Sequence, residues 1–268
     1  MGRVDGKVAF ITGAARGQGR SHALALASEG ADIIAVDLCQ EIDWTSYPGS
    51  SSSDLDETVR LVEGRGRRIV AAQADVRDRD ALERAVSHGV EQLGRLDIVV
   101  ANAGIGRVHR WDQVSSQVWQ ETIDINLTGT WHTVMASAHH LIASGGGSII
   151  LVSSAGGLKA MPFMIPYTAS KFGVTGLAKA FAAELADHNI RVNSLHPGGV
   201  DTVMARGESD AGELIESHPR LAGSFSTILP VTLIPPEAIS NAVVFLASDD
   251  SLYITASAMI VDAGNTAL

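Results

Sequence analysis

A single cysteine, Cys39, stands in 268 residues, so no internal disulfide forms and the chain fits a reducing compartment. Positive charge is also short. Twenty Lys and Arg face 30 Asp and Glu, and the resulting net charge of −10 argues against nucleic acid or an anionic membrane surface as a partner. No apolar run approaches the roughly 20 residues of a membrane span. The N-terminal apolar run, 8–11, is needed as a first strand, so no secretory leader is expected. Met1-Gly2-Arg3-Val4-Asp5-Gly6 lacks the hydroxyl residue of a myristoylation signal. What the chain does have is 46% hydrophobic residues, too many for disorder and enough at this length for one large domain with a sizeable core. A cytoplasmic protein is the expectation, with no partner among membranes or nucleic acids.

Seven short apolar runs (8–11, 33–37, 69–73, 97–101, 148–152, 191–195 and 258–261) alternate with helical patterns at 17–28, 55–64, 79–93, 116–143, 167–187 and 236–247. That alternation predicts an α/β fold: a single doubly wound, Rossmann-like domain over 1–268, with a seven-stranded parallel sheet and helices on both faces. Neither a repeat nor a dividing linker interrupts it. Two segments fall outside the alternation. The insertion 39–54 carries the turn-rich Tyr47-Pro48-Gly49-Ser50-Ser51-Ser52-Ser53 and reads equally as a disordered loop or, through Ile42, Trp44 and Tyr47, as a cover for a nucleotide. The segment 203–235, with Met204, Leu214, Ile215, Leu221, Phe225, Ile228 and Leu229, follows a strand end where such sheets bind ligands, and is expected to be a substrate lid rather than a plain surface loop.

The first run enters Thr12-Gly13-Ala14-Ala15-Arg16-Gly17-Gln18-Gly19 and then a helical stretch. Glycines permit a tight turn and close backbone approach to a phosphate, and the following helix N-terminus offers free N–H groups and the positive end of its dipole. The spacing G-x-x-x-G-x-G departs from the commoner G-x-G-x-x-G. A second strand closes on Asp37, an acid placed to accept hydrogen bonds from an adenosine ribose. A carboxylate beside a 2′-phosphate costs on the order of several kcal/mol at an effective dielectric of 20. Arg16 argues the other way, but Leu38 and Cys39 after the acid are not basic, so NAD is expected rather than NADP.

Tyr167 and Lys171 lie four apart on a predicted helix and therefore share a face. The neighbouring ammonium favours the phenolate and makes the tyrosine a usable acid or base. Ser154, at the end of the fifth run and thirteen residues upstream of Tyr167, is placed to hold a carbonyl oxygen; its neighbour Ser153 is the competing hydroxyl.

Thr12-Gly13, Gly17-x-Gly19, Asn102-Ala103-Gly104, Asn126, Ser154, Tyr167, Lys171 and Pro197-Gly198 stand in an order and spacing that resemble the short-chain dehydrogenase/reductase family from about residue 5 to residue 264. The resemblance implies Tyr167 as general acid/base, Lys171 holding the nicotinamide ribose, Ser154 orienting the substrate oxygen, and Asn126 keeping a water in the proton path. It further implies Asn102, Ala103 and Gly104 near the adenosine-ribose side of NAD, Asp75 and Val76 at the adenine, and Pro197, Gly198, Val200 and Thr202 toward the nicotinamide. Asp37-Leu38-Cys39 with its Tyr-Pro insertion also resembles the mycofactocin-associated, carveol-dehydrogenase-like subgroup, understood to hold NAD tightly and re-oxidise it with a separate redox carrier. One departure is Ala256, where the family usually has glycine, which puts the local backbone geometry in question. The resemblance implies a homotetramer acting on a small-molecule secondary alcohol or ketone, of small hydrophobic, terpenoid-like type given the apolar lid. An ordinary exchanging dehydrogenase on acyl, steroid or sugar-like substrates and a non-catalytic dinucleotide binder are the rivals. His139 and His140, with no acid or cysteine at ligand spacing, predict no metal site, and Trp111, Trp119 and Trp131 are expected in cores or subunit contacts.

Overall fold

Runs such as Ala9-Phe10-Ile11 and Ile33-Ile34-Ala35-Val36 offer no polar face, so they are stable only between two covering layers. The computed structural model, which describes residues 2–207 and 210–268, places them there. Seven strands, β1 (Val8–Thr12), β2 (Asp32–Asp37), β3 (Ile69–Gln73), β4 (Ile98–Ala101), β5 (Gly147–Val152), β6 (Ile190–Pro197) and β7 (Ala258–Val261), form one sheet in the order β3-β2-β1-β4-β5-β6-β7. Every pairing is parallel. β1, β2 and β4 are buried at every residue, while the edge strands β3 and β7 are partly exposed.

The helices are α1 (Gly17–Ser28), α2 (Ser52–Glu63), α3 (Arg79–Leu93), α4 (Ser116–Ile123), α5 (Gly129–Ala143), α6 (Ile165–Glu184), α7 (Val203–Arg206), α8 (Asp210–Ser217) and α9 (Pro236–Ala247). Two apolar layers result. One joins α1, α2 and α9 to one face of the sheet through Leu26, Val62 and Val243; the other joins α3, α5 and α6 to the opposite face through Val86, Val134 and Val174. The strand order reverses between β1 and β4, and at such a switch point the carboxyl ends of the strands part to leave a crevice.

The helical pattern expected as one element over 116–143 is divided. α4 and α5 are joined by a π-helical stretch, Asp124–Thr128, which shifts the register by widening the hydrogen-bonded turn and carries Asn126 at its centre. The start of α2 is earlier than expected because Ser51 caps it: its hydroxyl accepts from the Asp54 N–H while the Asp54 carboxylate accepts from the Ser51 N–H. Ala256 takes the left-handed conformation, φ +56°, that glycine adopts without strain. The tryptophans are not core residues: Trp111 is 76% exposed, and Trp119 and Trp131 are also exposed. Cys39 is half-buried, and burial followed by the charge of Asp37 pushes its thiol up to about 11, so it is no reactive thiolate at neutral pH. In the segment 203–235, residues 208 and 209 lie outside the described residues, as does Met1 of the N-terminal hexapeptide. No helix among the described residues is long and apolar enough to cross a membrane.

Candidate active site

The crevice is an open cleft that runs from Gly13 and Asp37 past Asn102 to Gly104 and Ile105. Its floor is the turn from β1 into α1. The turn is so tight that a Cβ on Gly19 would stand 2.0 Å from the Gly13 carbonyl oxygen, and one on Gly13 (φ +69°) would stand 2.9 Å from Ala103 Cα. Only glycine fits either position. α1 begins with neither a capping side chain nor an acid in its first turn, the condition under which a helix N-terminus receives an anion. Arg16, Gly17 and Gln18 line the cleft beside it, with Leu38, Asp75, Val76, Asn102, Ala103 and Gly104 around the wall. Asp75 is held by Arg77 at 2.6 Å. Thr202 closes on the glycine turn, its Cγ2 being 3.4 Å from where a Cβ on Gly17 would lie.

Asp37, at the end of β2, is buried and fully engaged. It accepts from the Ala15 N–H at 2.9 Å, from the Ser50 hydroxyl at 2.5 Å and from the Cys39 N–H at 3.2 Å. Arg16 is equally committed, donating to the carbonyls of Pro48 and Gly49. Both ligands of the glycine turn are thus tied to the insertion 39–54. From there Tyr47 runs along the cleft, and its hydroxyl accepts from the Gly106 N–H at 3.3 Å. Its Cβ stands 2.6 Å from where a Cβ on Gly207 would lie. Trp44 turns away: its indole N–H donates to Glu121 on α4 at 2.6 Å, and its carbonyl accepts from Arg107. Trp44 therefore anchors the insertion, while Ile42, Thr45, Tyr47, Gly49 and Ser50 face the cleft.

Gly104 is where the cleft meets the second group of residues. A Cβ there would lie 3.4 Å from Lys171 Nζ and 3.3 Å from Asn126 Oδ1. Lys171 is 3% exposed; it donates to the Val152 carbonyl at 2.9 Å, and its ammonium is 5.6 Å from the centre of the Tyr167 ring. Burial pulls its pKa down to about 8. Ser154 lies immediately beyond β5, where its Oγ accepts from the Gly156 N–H at 3.1 Å. A Cβ on Gly156 would be 3.6 Å from both Ser154 Oγ and Tyr167 Cε1, so the two oxygen-bearing side chains flank one small space. Ser153 is excluded from that space, since its hydroxyl is buried and donates to the Lys171 carbonyl at 2.9 Å. Met161 and Met164 complete the wall: Met161 Cγ would be 2.8 Å from a Cβ on Gly156, and Met164 Cε 3.2 Å from one on Gly106.

Asn126 is fully buried. Its Oδ1 accepts from the Ile105 N–H at 2.8 Å, and its Nδ2 donates to the Ile105 carbonyl at 2.8 Å and to Ser170 Oγ at 3.1 Å. The Asn126 amide is thus engaged by protein groups and braces the loop after β4. Pro197, Gly198 and Val200 follow at the end of β6. A Cβ on Gly198 would be 2.9 Å from Asp262 Cα, and Val200 is buried in a bridge to Ile234. Thr202 lines the cleft. Sequence reasoning missed Ser50 and the reach of Tyr47 to Gly106, contacts spanning 13 and 59 residues for which no local pattern exists.

The family model described as short chain dehydrogenase matches residues 7–212. The (−)-trans-carveol dehydrogenase of Rhodococcus erythropolis is 46% identical, over 99% of this chain and 99% of that protein. Among solved structures, a short chain dehydrogenase from Mycobacterium paratuberculosis bound to NAD superposes with a TM-score of 0.97 at 53% identity, covering both chains completely. A carveol dehydrogenase from Mycobacterium avium in complex with NAD gives 0.94 at 52% identity, again over the whole of both chains. The chain belongs to the short-chain dehydrogenase family.

Proposed function

We propose that this protein is an NAD-dependent oxidoreductase that interconverts a small hydrophobic, terpenoid-like secondary alcohol and its ketone, with NAD held tightly in the cleft. The observation that carries the reading is the shared space between Ser154 Oγ and the Tyr167 ring, next to the buried Lys171 ammonium at the end of the cleft that begins at the glycine turn. The similarity to carveol dehydrogenases supports the substrate class.

The residues present fit the cofactor. The glycine turn that a Cβ would fill and the uncapped start of α1 suit its diphosphate, and Asp37 suits its adenosine ribose. A 2′-phosphate would face Asp37, while the one arginine of the glycine turn is engaged by Pro48 and Gly49. When bound, NAD supplies the acceptor of the hydride in oxidation and, reduced, its donor. Ser154 donates its hydroxyl hydrogen to the substrate oxygen. Tyr167 takes the alcohol proton in oxidation and returns it in reduction, and the Lys171 charge stabilises the intervening phenolate. Lys171 would also hold the nicotinamide ribose, and Asn126 holds Ile105 and with it the wall around Gly104. Met161 and Met164 offer a soft apolar surface to the substrate.

The insertion 39–54 acts as a strap over the cofactor, and 203–235 as the substrate lid; Tyr47, Ser50 and Arg16 support the first role, and Val203 and Met204 on the cleft wall the second. A strapped cofactor calls for re-oxidation in place, by an external carrier of the kind used by the mycofactocin-associated subgroup. Exposed Trp131, Phe172, Ile260 and Leu268 support assembly into a homotetramer through α5, α6 and the C-terminal strand. The test is mass spectrometry of protein denatured after extensive dialysis, with turnover of (−)-trans-carveol followed by an artificial electron acceptor. Retained NAD and carveol oxidation are expected. Dialysable NAD would leave an ordinary exchanging dehydrogenase, and no turnover of any alicyclic alcohol would overturn the substrate class.

A further inference from the structure

His196 is wholly buried at the end of β6 and takes no part in the chemistry above. β5 and β6 pair in parallel up to Val152 and Leu195, and the last ladder bond runs from the Ser153 N–H to the Leu195 carbonyl at 2.8 Å. The next donor in a parallel ladder would be the N–H of residue 197, and Pro197 has none. The chain carrying Ser154 would leave the sheet there without support. The His196 imidazole takes over instead, its Nδ1 lying 2.8 Å from the Ser154 carbonyl oxygen and its Nε2 2.8 Å from Ser194 Oγ. A carbonyl only accepts, so Nδ1 carries the hydrogen and Nε2 accepts from the Ser194 hydroxyl. Burial lowers the pKa of His196, which keeps the ring neutral and this tautomer intact at neutral pH. The Ser154 carbonyl accepts a second bond, from the Gly157 N–H at 2.9 Å. Two carbonyls earlier, Lys171 Nζ donates to Val152.

We infer that His196 is a positioning residue for the reaction: by donating Nδ1–H to the Ser154 carbonyl where the β-ladder ends at Pro197, it sets the Ser154 hydroxyl against Tyr167. The inference rests on the role proposed for Ser154. It predicts a difference between two amides that are otherwise alike. In His196→Asn the Nδ2 group occupies the place of Nδ1 and keeps the donor; in His196→Gln the amide reaches only the Nε2 end and loses it.

The experiment is a double-mutant cycle with NAD and (−)-trans-carveol, using H196N, H196Q, S154A and H196Q in the S154A background, with melting temperatures alongside. H196Q lowers kcat by about three- to tenfold, the effect of one hydrogen bond, while H196N stays within about twofold of the parent. In the S154A background H196Q has no further effect on kcat, because its action passes through that hydroxyl. Equal losses in H196N and H196Q, or the same loss with and without Ser154, would overturn the inference and leave a structural histidine whose effect tracks the melting temperature. Parent-level turnover by S154A would instead remove the role proposed for Ser154 itself. Nitrogen-15 NMR of histidine-labelled parent protein, assigned with H196N, supplies a readout without turnover: the Nδ1–H neutral tautomer is expected, and an Nε2–H tautomer sinks the inference.

Discussion

At the glycine-turn end of the cleft, every charged group is matched by polar partners: Asp37 by Ala15, Cys39 and Ser50, and Arg16 by Pro48 and Gly49. At the other end one ammonium, Lys171, is buried against the Val152 carbonyl and beside the Tyr167 ring, and its charge is disfavoured enough to titrate near pH 8. The first end is built to exchange partners, since the hydrogen bonds from the insertion can be remade to a ligand at little net cost. The second is built to keep a costly charge in place, where low dielectric magnifies its action on a neighbouring phenol. Affinity and chemistry therefore answer to different mutations.

The largest expected effect is at the second end. Tyr167→Phe removes one oxygen and retains the ring, and turnover should fall by about 10²–10⁴ with NAD still bound, as measured by steady-state kinetics and cofactor content. A variant keeping more than a tenth of parental turnover would break the assignment.

Lys171 also makes a claim on stability. Its folded pKa is lowered from 10.5 to about 8, so between those values the unfolded chain binds more protons than the folded one. Folding stability contributed by this group is therefore lowest below pH 8 and rises as pH climbs from about 8 to 10.5, by at most about 3 kcal/mol. Cys39 acts oppositely between 9.0 and about 11, so the informative quantity is the difference between parent and Lys171→Met in denaturant titrations at pH 7.5 and 10. Lys171→Met should gain most at the lower pH. An equal gain at both would mean that Lys171 does not carry a buried charge.

At the first end, replacing 41–53 by a tight turn should speed NAD release at least about tenfold while leaving the chemical step nearly unchanged, because covering groups act on the off-rate. Stopped-flow displacement checks this, and equal release rates would reduce the insertion to a surface loop. Asp37→Ala should weaken NAD by about tenfold or more and relax discrimination against NADP, from loss of about 1.5–3 kcal/mol of charge-assisted hydrogen bonding. A parent that already prefers NADP in titrations would reverse the argument from Arg16.

The smallest effect lies away from both ends. Ala256→Gly relieves a left-handed residue, partly offset by greater freedom of the unfolded chain, and should raise the melting temperature by roughly 1–3 °C. A lower melting temperature would show that the alanine side chain makes up for the strain.

The apolar runs and their spacing sufficed to predict the parallel sheet, because a strand buried on both faces must be apolar throughout and each crossover needs a helix. The placement of Gly13, Gly19, Asp37, Tyr167 and Lys171 was legible for a similar reason: each sits in a local turn, at a strand end or on a single helix face. Boundaries shifted where a cap or a local bulge decided them, as at Ser51 and Asp124–Thr128. Tertiary structure alone settled which partners meet across long stretches of chain. It brought Ser50 to Asp37, Tyr47 to Gly106, Trp44 to Glu121 and His196 to Ser154. It also committed the Asn126 amide to Ile105. Periodicity in a sequence reports the repeat of the local backbone, whereas a hydrogen bond between an insertion and a strand end depends on where distant elements pack, and no local pattern encodes that.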